Sequence, residues 1–245
     1  MFELPTTPLS IGQVLDLSIK NYLRNFRLVL PLVLAAIVVS CANLTAQMEF
    51  RNQPAATAIV ALILYIPAVY IGMALLSLLW GTSLDEPLSM GEALGLAARK
   101  LLPIILYYIL LSLAVTGGLI LLVIPGIILA VTLVLGQYAI IIENAGPVEA
   151  LKRSHSLVWG NWGRTAAVLT VVVLIYIAVD VVFGLVVGVA SLGRNPATIA
   201  IIVGILTGTM SSILAPFTVS AGLVLFADLR LRKEGADLEE AIDNL

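Results

Sequence analysis

Residues 101–142 form a run of 42 residues that contains no charged side chain. At a rise of about 1.5 Å per residue, one helix of that length would be about twice as long as a bilayer's hydrocarbon core is thick. The run must therefore fold back as a hairpin of two helices, with Gly117-Gly118 and Pro125-Gly126 as the alternative break points. Transmembrane strands are excluded because their side chains alternate in polarity, whereas this run is apolar on every face.

The chain as a whole is also rich in apolar residues and poor in charged ones. Hydrophobic residues make up 60% of the 245 residues and charged residues 11%, whereas an ordinary soluble domain has about 25% charged residues. A soluble globule of this size could not hide so much apolar surface. The composition argues against a soluble enzyme, a nucleic-acid-binding protein and a disordered chain, and it indicates a protein dissolved in lipid.

The apolar runs predict an all-α, polytopic membrane protein with six transmembrane helices. The predicted spans are about 28–46, 56–80, 101–121, 124–142, 165–190 and 198–226. Residues 1–227 would form a single integral membrane domain, and residues 228–245 a short cytoplasmic tail, either a short helix or a frayed end. The N-terminus lacks a basic region followed by an apolar core, so we expect no cleaved signal peptide.

Basic residues are concentrated on the side that holds both termini. Eleven of the 13 lie there: Lys20, Arg24, Arg27, Arg99, Lys100, Lys152, Arg153, Arg164, Arg230, Arg232 and Lys233. The opposite loops hold only Arg51 and Arg194. Since cytoplasmic loops carry an excess of Lys and Arg, both termini are predicted to be cytoplasmic.

Three segments resemble one another when they are aligned without gaps. The alignment superposes Ser10, Ser89 and Gly146; then Gln13, Glu92 and Glu149; then Leu15, Leu94 and Leu151. The Ser-x-x-Gln and Ser-x-x-Glu patterns are typical of helix capping boxes, and Pro147 suits the first helical position. The chain therefore reads as three repeats, about 9–82, 88–143 and 146–227. Each repeat would contain an interfacial helix, a span out, a short turn and a span back.

The segment after Ser10 is amphipathic at helical spacing. One face holds Val14, Leu15, Ile19, Tyr22, Leu23 and Phe26, and the other holds Gln13, Asp16, Lys20, Arg24 and Arg27. Such a helix is expected either to lie in the membrane interface or to pack on the cytoplasmic ends of the bundle, and both can hold. The candidate contacts to anionic headgroups are Lys20, Arg24, Arg27, Arg99, Lys100, Lys152 and Arg153.

Asp180 is the only charged residue inside a predicted span. Intramembrane carboxylates often mark ion or proton pathways, although this one could instead bond to another helix or lie in the wet outer interface. The polar residues that could share a site with it are Gln137, Thr207, Thr209, Ser211 and Ser212.

No catalytic, metal or cofactor site is predicted. His155 is the only histidine and lies on the apolar face of the third amphipathic helix, without the clustered ligands that a metal needs. No Ser-His-Asp arrangement or glycine-rich phosphate loop is recognisable. Cys41 is the only cysteine, so it cannot form a disulfide within the chain.

Several stretches resemble a known family. These are PLSIGQVLDLSIKNYLRNFRLVLP, then IPGIILAVTLVLGQYAIIIENAGPVEALKRSHSLVWGNWGRT, then VLFADLRLRKEG. The most specific block is the Pro-Gly of span four with Pro147-x-Glu149-Ala150-Leu151-x-x-Ser154 and Asn161-Trp162. The chain resembles the YciC-like bacterial inner-membrane proteins and the membrane domain of some glycerophosphoryl diester phosphodiesterases. The resemblance implies a cytoplasmic-membrane protein with about six helices. It transfers no catalytic residue, because the phosphodiesterase activity resides in a separate soluble domain.

These patterns lead to two functional hypotheses. The first is a non-catalytic inner-membrane protein that organises or senses the membrane, or supports envelope and lipid homeostasis. Its partners would be the bilayer's anionic headgroups and a membrane protein or second copy, but no nucleic acid. The alternative is a transporter or channel for a small solute or lipid, with Asp180 in a polar cavity.

Overall fold

The computed structural model describes residues 5, 7–84, 87–190 and 195–243. Its helices are α1 (Ile11–Arg24), α2 (Phe26–Glu49), α3 (Pro54–Gly81), α4 (Met90–Leu121), α5 (Val123–Leu133), α6 (Gly136–Ile142), α7 (Pro147–Val158), α8 (Trp162–Ala190) and α9 (Pro196–Asp243). Within the described residues, six helical stretches are long and apolar enough to cross a membrane, with α5 and α6 together counting as one. The predicted all-α fold with six candidate membrane spans is confirmed for this part of the chain.

The helix starts that the sequence predicts are present. The Ser10 hydroxyl accepts from the Gln13 N–H, and the Gln13 side chain accepts from the Ser10 N–H. Ser89 and Glu92 form the same reciprocal pair at the start of α4. At α7 the Gly146 N–H donates to Glu149 at 3.0 Å, which is the half of the box that a glycine can make.

The turn between spans three and four lies at Leu122, where the backbone is extended, and at neither of the predicted break points. Gly118 is inside α4, whereas Gly126 is in the first turns of α5. A Cβ on Gly118 would lie 2.9 Å from the Gly126 Cα. The two glycines therefore allow α4 and α5 to approach closely instead of ending a helix. Pro125 is in the first turn of α5, where its missing N–H leaves no helical bond unmade.

Span four is interrupted at Val134–Leu135, between α5 and α6. Ser154 of α7 occupies this break: its hydroxyl accepts from the Leu135 N–H at 3.1 Å and donates to the Thr132 carbonyl at 2.7 Å. Both bonds are buried. The side chain thereby satisfies two backbone groups that the interruption leaves unpaired, as apolar surroundings require.

Two segments that were expected to be separate are continuous with a span. The second amphipathic segment forms the first turns of α4, which runs from Met90 to Leu121 without a break. The first and third amphipathic segments instead end before the next span. The first ends at Asn25, and the third ends near Gly160, whose φ of +95° is not helical. Helix α9 likewise continues to Asp243, so the expected tail of residues 228–245 begins as an extension of span six.

The buried core lies toward one end of the bundle. Its apolar side chains come mainly from the second half of α3, the first half of α4, α6 and residues 221–229 of α9. Large apolar side chains are exposed along α8 and around Leu122, where lipid tails are as apolar as the side chains they contact. We call the core end, formed by residues 7–27, 87–100, 143–164 and 227–235, the basic end. The opposite end includes residues 50–53, the turn between α2 and α3.

Candidate functional site

The three amphipathic segments share one pattern of burial at the aligned positions. Two sets of positions are fully buried: Val14, Ala93 and Ala150, and then Ser18, Ala97 and Ser154. Two other sets are exposed: Ile19, Ala98 and His155, and then Leu23, Leu102 and Trp159. In the last set the exposed fractions are 64%, 67% and 59%. In all three segments, therefore, one set of aligned positions faces the bundle and another set faces away from it.

Helix α1 has three faces instead of two. Its buried face carries Val14, Ser18 and Asn21, and the Asn21 side chain donates to the Ser220 hydroxyl of α9 at 2.9 Å. Most of the face that the sequence analysis describes as apolar is not buried, since Ile19 and Leu23 are exposed. An exposed apolar face beside a basic one is the arrangement of a helix at a membrane interface.

The seven candidate headgroup contacts fall into two groups. Five are exposed at the basic end: Lys20, Arg24, Arg27, Arg99 and Lys152. Of these five, only Lys20 forms an ion pair with another described residue, at 2.7 Å from Asp16 on its own helix. The five side chains can therefore reach solvent or headgroups.

The other two candidates, Lys100 and Arg153, are half-buried and bound to the protein. Lys100 donates to the Asn144 side chain. Arg153 forms a bidentate pair with Glu143, with both N–O distances 2.8 Å, and reaches Glu234 at 3.1 Å. The hydrogen bonds to Glu143 raise the pKa of the Arg153 guanidinium. The Arg153 contacts join α7 to α9, and both side chains are engaged by acceptors of the protein.

A buried carboxylate that the sequence analysis did not single out joins three segments at the basic end. Asp228 of α9 is fully buried. It accepts from the Leu9 N–H at 2.7 Å, from Arg164 Nε at 2.9 Å and from Arg232 Nε at 3.1 Å. Both guanidinium groups also donate to the Leu9 carbonyl. The sequence offers one sign of this cluster, an Asp at the end of an apolar run with Arg232 four residues later. The other arginine, Arg164 on α8, is 64 residues away and could not be paired with Asp228 from sequence.

His155 is exposed, and its ring stacks on Trp159 with 5.1 Å between the ring centroids. Trp159 and Trp162 line an apolar cleft together with Ile124, Ile127 and Ile128 of α5. Among the described residues, no group of three or more His, Cys, Asp or Glu side chains could hold a metal ion. The histidine thus belongs to an exposed aromatic surface with Trp159.

Two adjoining cavities lie among the spans. The first, of about 300 Å³, lies between α2, α3 and α9 and is called here the Asn43 cavity. The second, of about 290 Å³, lies between α3, α4, α6 and α9 and is called the Gln137 cavity. Both are lined by Tyr65, Ala68 and Gly72 of α3. Gln137 accepts a hydrogen bond from the Tyr108 hydroxyl at 2.5 Å.

The predicted intramembrane polar residues do not all meet in these cavities. Gln137 lines one cavity and Ser211 the other, and Ser212 lies beside Ser211. Thr207 donates to the Val203 carbonyl of its own helix at 2.9 Å, and neither it nor the half-buried Thr209 lines either cavity. Asp180 is exposed on α8, away from both linings. The structure thus separates the acidic residue from the polar groups with which the sequence analysis placed it. Arg194 lies outside the described residues.

Comparison with known proteins identifies bacterial membrane proteins as relatives. Residues 88–227 match the sequence model of a family described as a domain of unknown function, DUF7847. A UPF0259 membrane protein of Pectobacterium carotovorum subsp. carotovorum is 34% identical over 88 residues, which are 36% of this chain and 35% of that protein. A UPF0259 membrane protein of Sodalis glossinidius is 31% identical over 93 residues, 38% of this chain and 37% of that one. The matched part therefore spans little more than a third of either relative. No solved structure matches the chain.

Proposed function

We infer a function from the premise that the chain belongs to the DUF7847 family, with bacterial membrane proteins among its relatives. We propose that it is a non-catalytic protein of the bacterial cytoplasmic membrane that gathers anionic lipids around its basic end. In this role it would organise the membrane or support a partner protein there. Both termini would face the cytoplasm, the side on which anionic headgroups attract basic segments.

The observation that carries the proposal is the shared exposure pattern of the three amphipathic segments. At aligned positions, Leu23, Leu102 and Trp159 all point away from the bundle. Leu23 adjoins the exposed Arg24, and Leu102 lies one helical turn from the exposed Arg99. Lys152 is exposed on α7 two turns before Trp159. Apolar side chains can enter the acyl region while the neighbouring cations reach headgroup phosphates. The protein would thus present three similar lipid-binding edges.

The same pattern supports the finer architecture that we propose, three repeats of about 9–82, 88–143 and 146–227. Matching burial at aligned positions, with small residues at nearly all of them, is expected of repeats that keep the same packing face. Copies of the same topological sense would place all three lipid-binding edges on one side of the membrane. Transport through an acidic path is not proposed, because Asp180 lines neither cavity.

The tryptophans of the chain allow a direct test. The purified protein is reconstituted in phosphatidylcholine vesicles that contain traces of either phosphatidylglycerol or phosphatidylcholine labelled with a dansyl group. Energy transfer to the dansyl group from the three tryptophans, Trp80, Trp159 and Trp162, then reports which labelled lipid is enriched near them. We expect labelled phosphatidylglycerol to be enriched over labelled phosphatidylcholine, and added salt to reduce the difference.

Charge removal identifies the residues responsible. Each of Arg24→Gln, Arg27→Gln, Arg99→Gln and Lys152→Gln should reduce the preference, by up to about fivefold, since a basic residue near an anionic surface contributes about 1 kcal/mol. Arg51→Gln, at the exposed opposite end, is the matched control and should leave energy transfer unchanged. Equal enrichment of both lipids around the wild-type protein would contradict the proposal. So would an unchanged preference in the variant that combines all four substitutions.

A further inference from the structure

The Asn43 and Gln137 cavities are mostly apolar, with a few uncharged polar groups in their linings. The Asn43 cavity has hydroxyl and amide groups from Ser40, Asn43, Tyr65, Ser211 and Ser212. The Gln137 cavity has those of Tyr65, Tyr108, Gln137 and Tyr138. No charged side chain of the described chain lines either cavity. A ligand here would be uncharged, because a buried charge without a partner is strongly unfavourable.

One buried polar atom of the described lining residues lacks a hydrogen-bond partner. The Asn43 Oδ1 atom is buried and receives no hydrogen bond within the described protein. Buried carbonyl oxygens are normally paired, and inside a bilayer lipid tails cannot supply a donor. Such an atom at the wall of a cavity is the acceptor that a ligand hydroxyl would satisfy.

Several other polar groups of the lining are already paired. The Tyr108 hydroxyl donates to Gln137 Oε1 at 2.5 Å, and the Tyr138 hydroxyl donates to the Val219 carbonyl at 3.2 Å. The Ser212 hydroxyl donates to the Gly208 carbonyl of its own helix at 2.8 Å. Asn43 carries the buried unpaired acceptor of the lining, so it would orient a ligand that carries a donor.

The cavities are open toward the lipid. Tyr65 and Ala68 of α3 and Ser211 of α9 are exposed at the rim. Ser212 precedes Asp228 by sixteen residues of α9, so it lies about 24 Å further along that helix. Because the hydrocarbon core is about 30 Å thick, that distance places the Asn43 cavity in the half of the membrane opposite the basic end. A ligand would enter sideways from the bilayer, and its body would be apolar.

From these observations we propose that the two cavities bind an uncharged lipid that carries a hydroxyl group. The hydroxyl donates to Asn43 Oδ1, and the apolar chain passes Gly72 toward Gln137. The volume of each cavity is at the small end of ligand sites, so together they hold a single chain and its hydroxyl group. This site is separate from the headgroup contacts of the basic end.

A substitution at Gly72 tests whether the ligand needs the space of the two cavities. It lines both cavities, and a Cβ added to it would meet no atom within 4 Å. Gly72→Leu should therefore fold normally while its side chain fills the space. Gly184 of α8 is also exposed in the membrane with no atom within 4 Å of an added Cβ, and it lines neither cavity. Gly184→Leu is the matched control.

The probe is hexadecanol with a photoactivatable diazirine in its chain, added to the full-length protein in phosphatidylcholine vesicles. A hexadecane analogue with the same diazirine is the comparison probe. Peptide mass spectrometry locates the attachment sites. We expect the alcohol to label α3 around residues 65–72 more strongly than the alkane does, and unlabelled hexadecanol to compete. Gly72→Leu should abolish this labelling, and Gly184→Leu should preserve it.

Asn43→Leu tests the hydrogen bond separately from the space. It should remove the preference for the alcohol, a loss of about fivefold for one hydrogen bond between uncharged groups, while the alkane still labels the cavity. If Gly72→Leu does not reconstitute, Ala68→Leu blocks the same rim. Equal labelling by both probes in the wild-type protein, or undiminished labelling in the cavity-filling variant, would overturn the proposal.

Discussion

Asp228 and Arg164 form an ion pair, 2.9 Å between Oδ2 and Nε, that joins α9 to α8 at the basic end. The carboxylate is fully buried, whereas the Arg164 side chain is 16% exposed. Because Arg164 and Arg232 both also bond to the Leu9 carbonyl, the segment before α1 is held by the same cluster. The pair thus fixes where the first amphipathic helix begins relative to the last two spans.

Replacing Asp228 with Asn should destabilise the protein strongly. The change leaves two guanidinium groups close together without their common anion, and breaking a buried ion pair costs about 3 kcal/mol or more. Thermal unfolding in detergent, followed by circular dichroism, would show a large fall in Tm. The exposed pair of Asp16 and Lys20 provides the control, since Asp16→Asn should cost about 0.5 kcal/mol or less. Similar losses in both variants would contradict a special role for the Asp228 cluster.

Ser154→Ala tests how the interruption of span four is stabilised. The substitution removes the partner of the Leu135 N–H and of the Thr132 carbonyl, and each unmade buried bond costs about 1–3 kcal/mol. Ser18 is a matched control, because it is fully buried at the aligned position but bonds only within its own helix, to the Val14 carbonyl. Ser18→Ala should have a much smaller effect on Tm. Equal effects would show that the bridge contributes little.

Adjacent glycines of α4 give a third prediction. A methyl group on Gly118 would contact the Gly126 backbone at 2.9 Å, and forcing the helices apart costs about 1–3 kcal/mol. A methyl group on Gly117 meets no atom within 4 Å, so Gly117→Ala should keep the stability or raise it by up to about 1 kcal/mol. Comparison of the two variants' Tm values in the same detergent is the measurement. A tolerated Gly118→Ala would mean that the close approach of α4 and α5 is not required.

The spans were predictable because each is specified locally, by about 20 apolar residues in sequence. The helix starts were also predictable, since a capping box is complete within four residues, as at Ser10 and Ser89. The turn at Leu122 was not, because glycine can either end a helix or permit close packing. Only the position of Gly126 opposite Gly118 distinguishes these uses.

The candidate site was less accessible to sequence reasoning. Lys20, Arg24 and Arg27 are exposed, as their predicted polar face requires. The partners of Lys100 and Arg153 come from other segments and were not predictable from that face. Asp180 and Asp228 illustrate the difficulty most clearly. The carboxylate inside a predicted span is exposed on α8, and the one assigned to the tail is fully buried. Burial depends on tertiary neighbours, which hydropathy along the chain does not contain.

The orientation in the membrane is testable with a reporter enzyme that is active only after export. Because eleven basic residues lie at the end that holds both termini, alkaline phosphatase fused after Leu245 should be inactive. The same enzyme fused after Gln53, in the turn between α2 and α3, should be active. A cytoplasmic reporter at each site should give the reciprocal result, which separates true location from poor expression. Strong phosphatase activity after Leu245 together with none after Gln53 would reverse the topology, and the exposed cations of α1 and α7 would then face the periplasm.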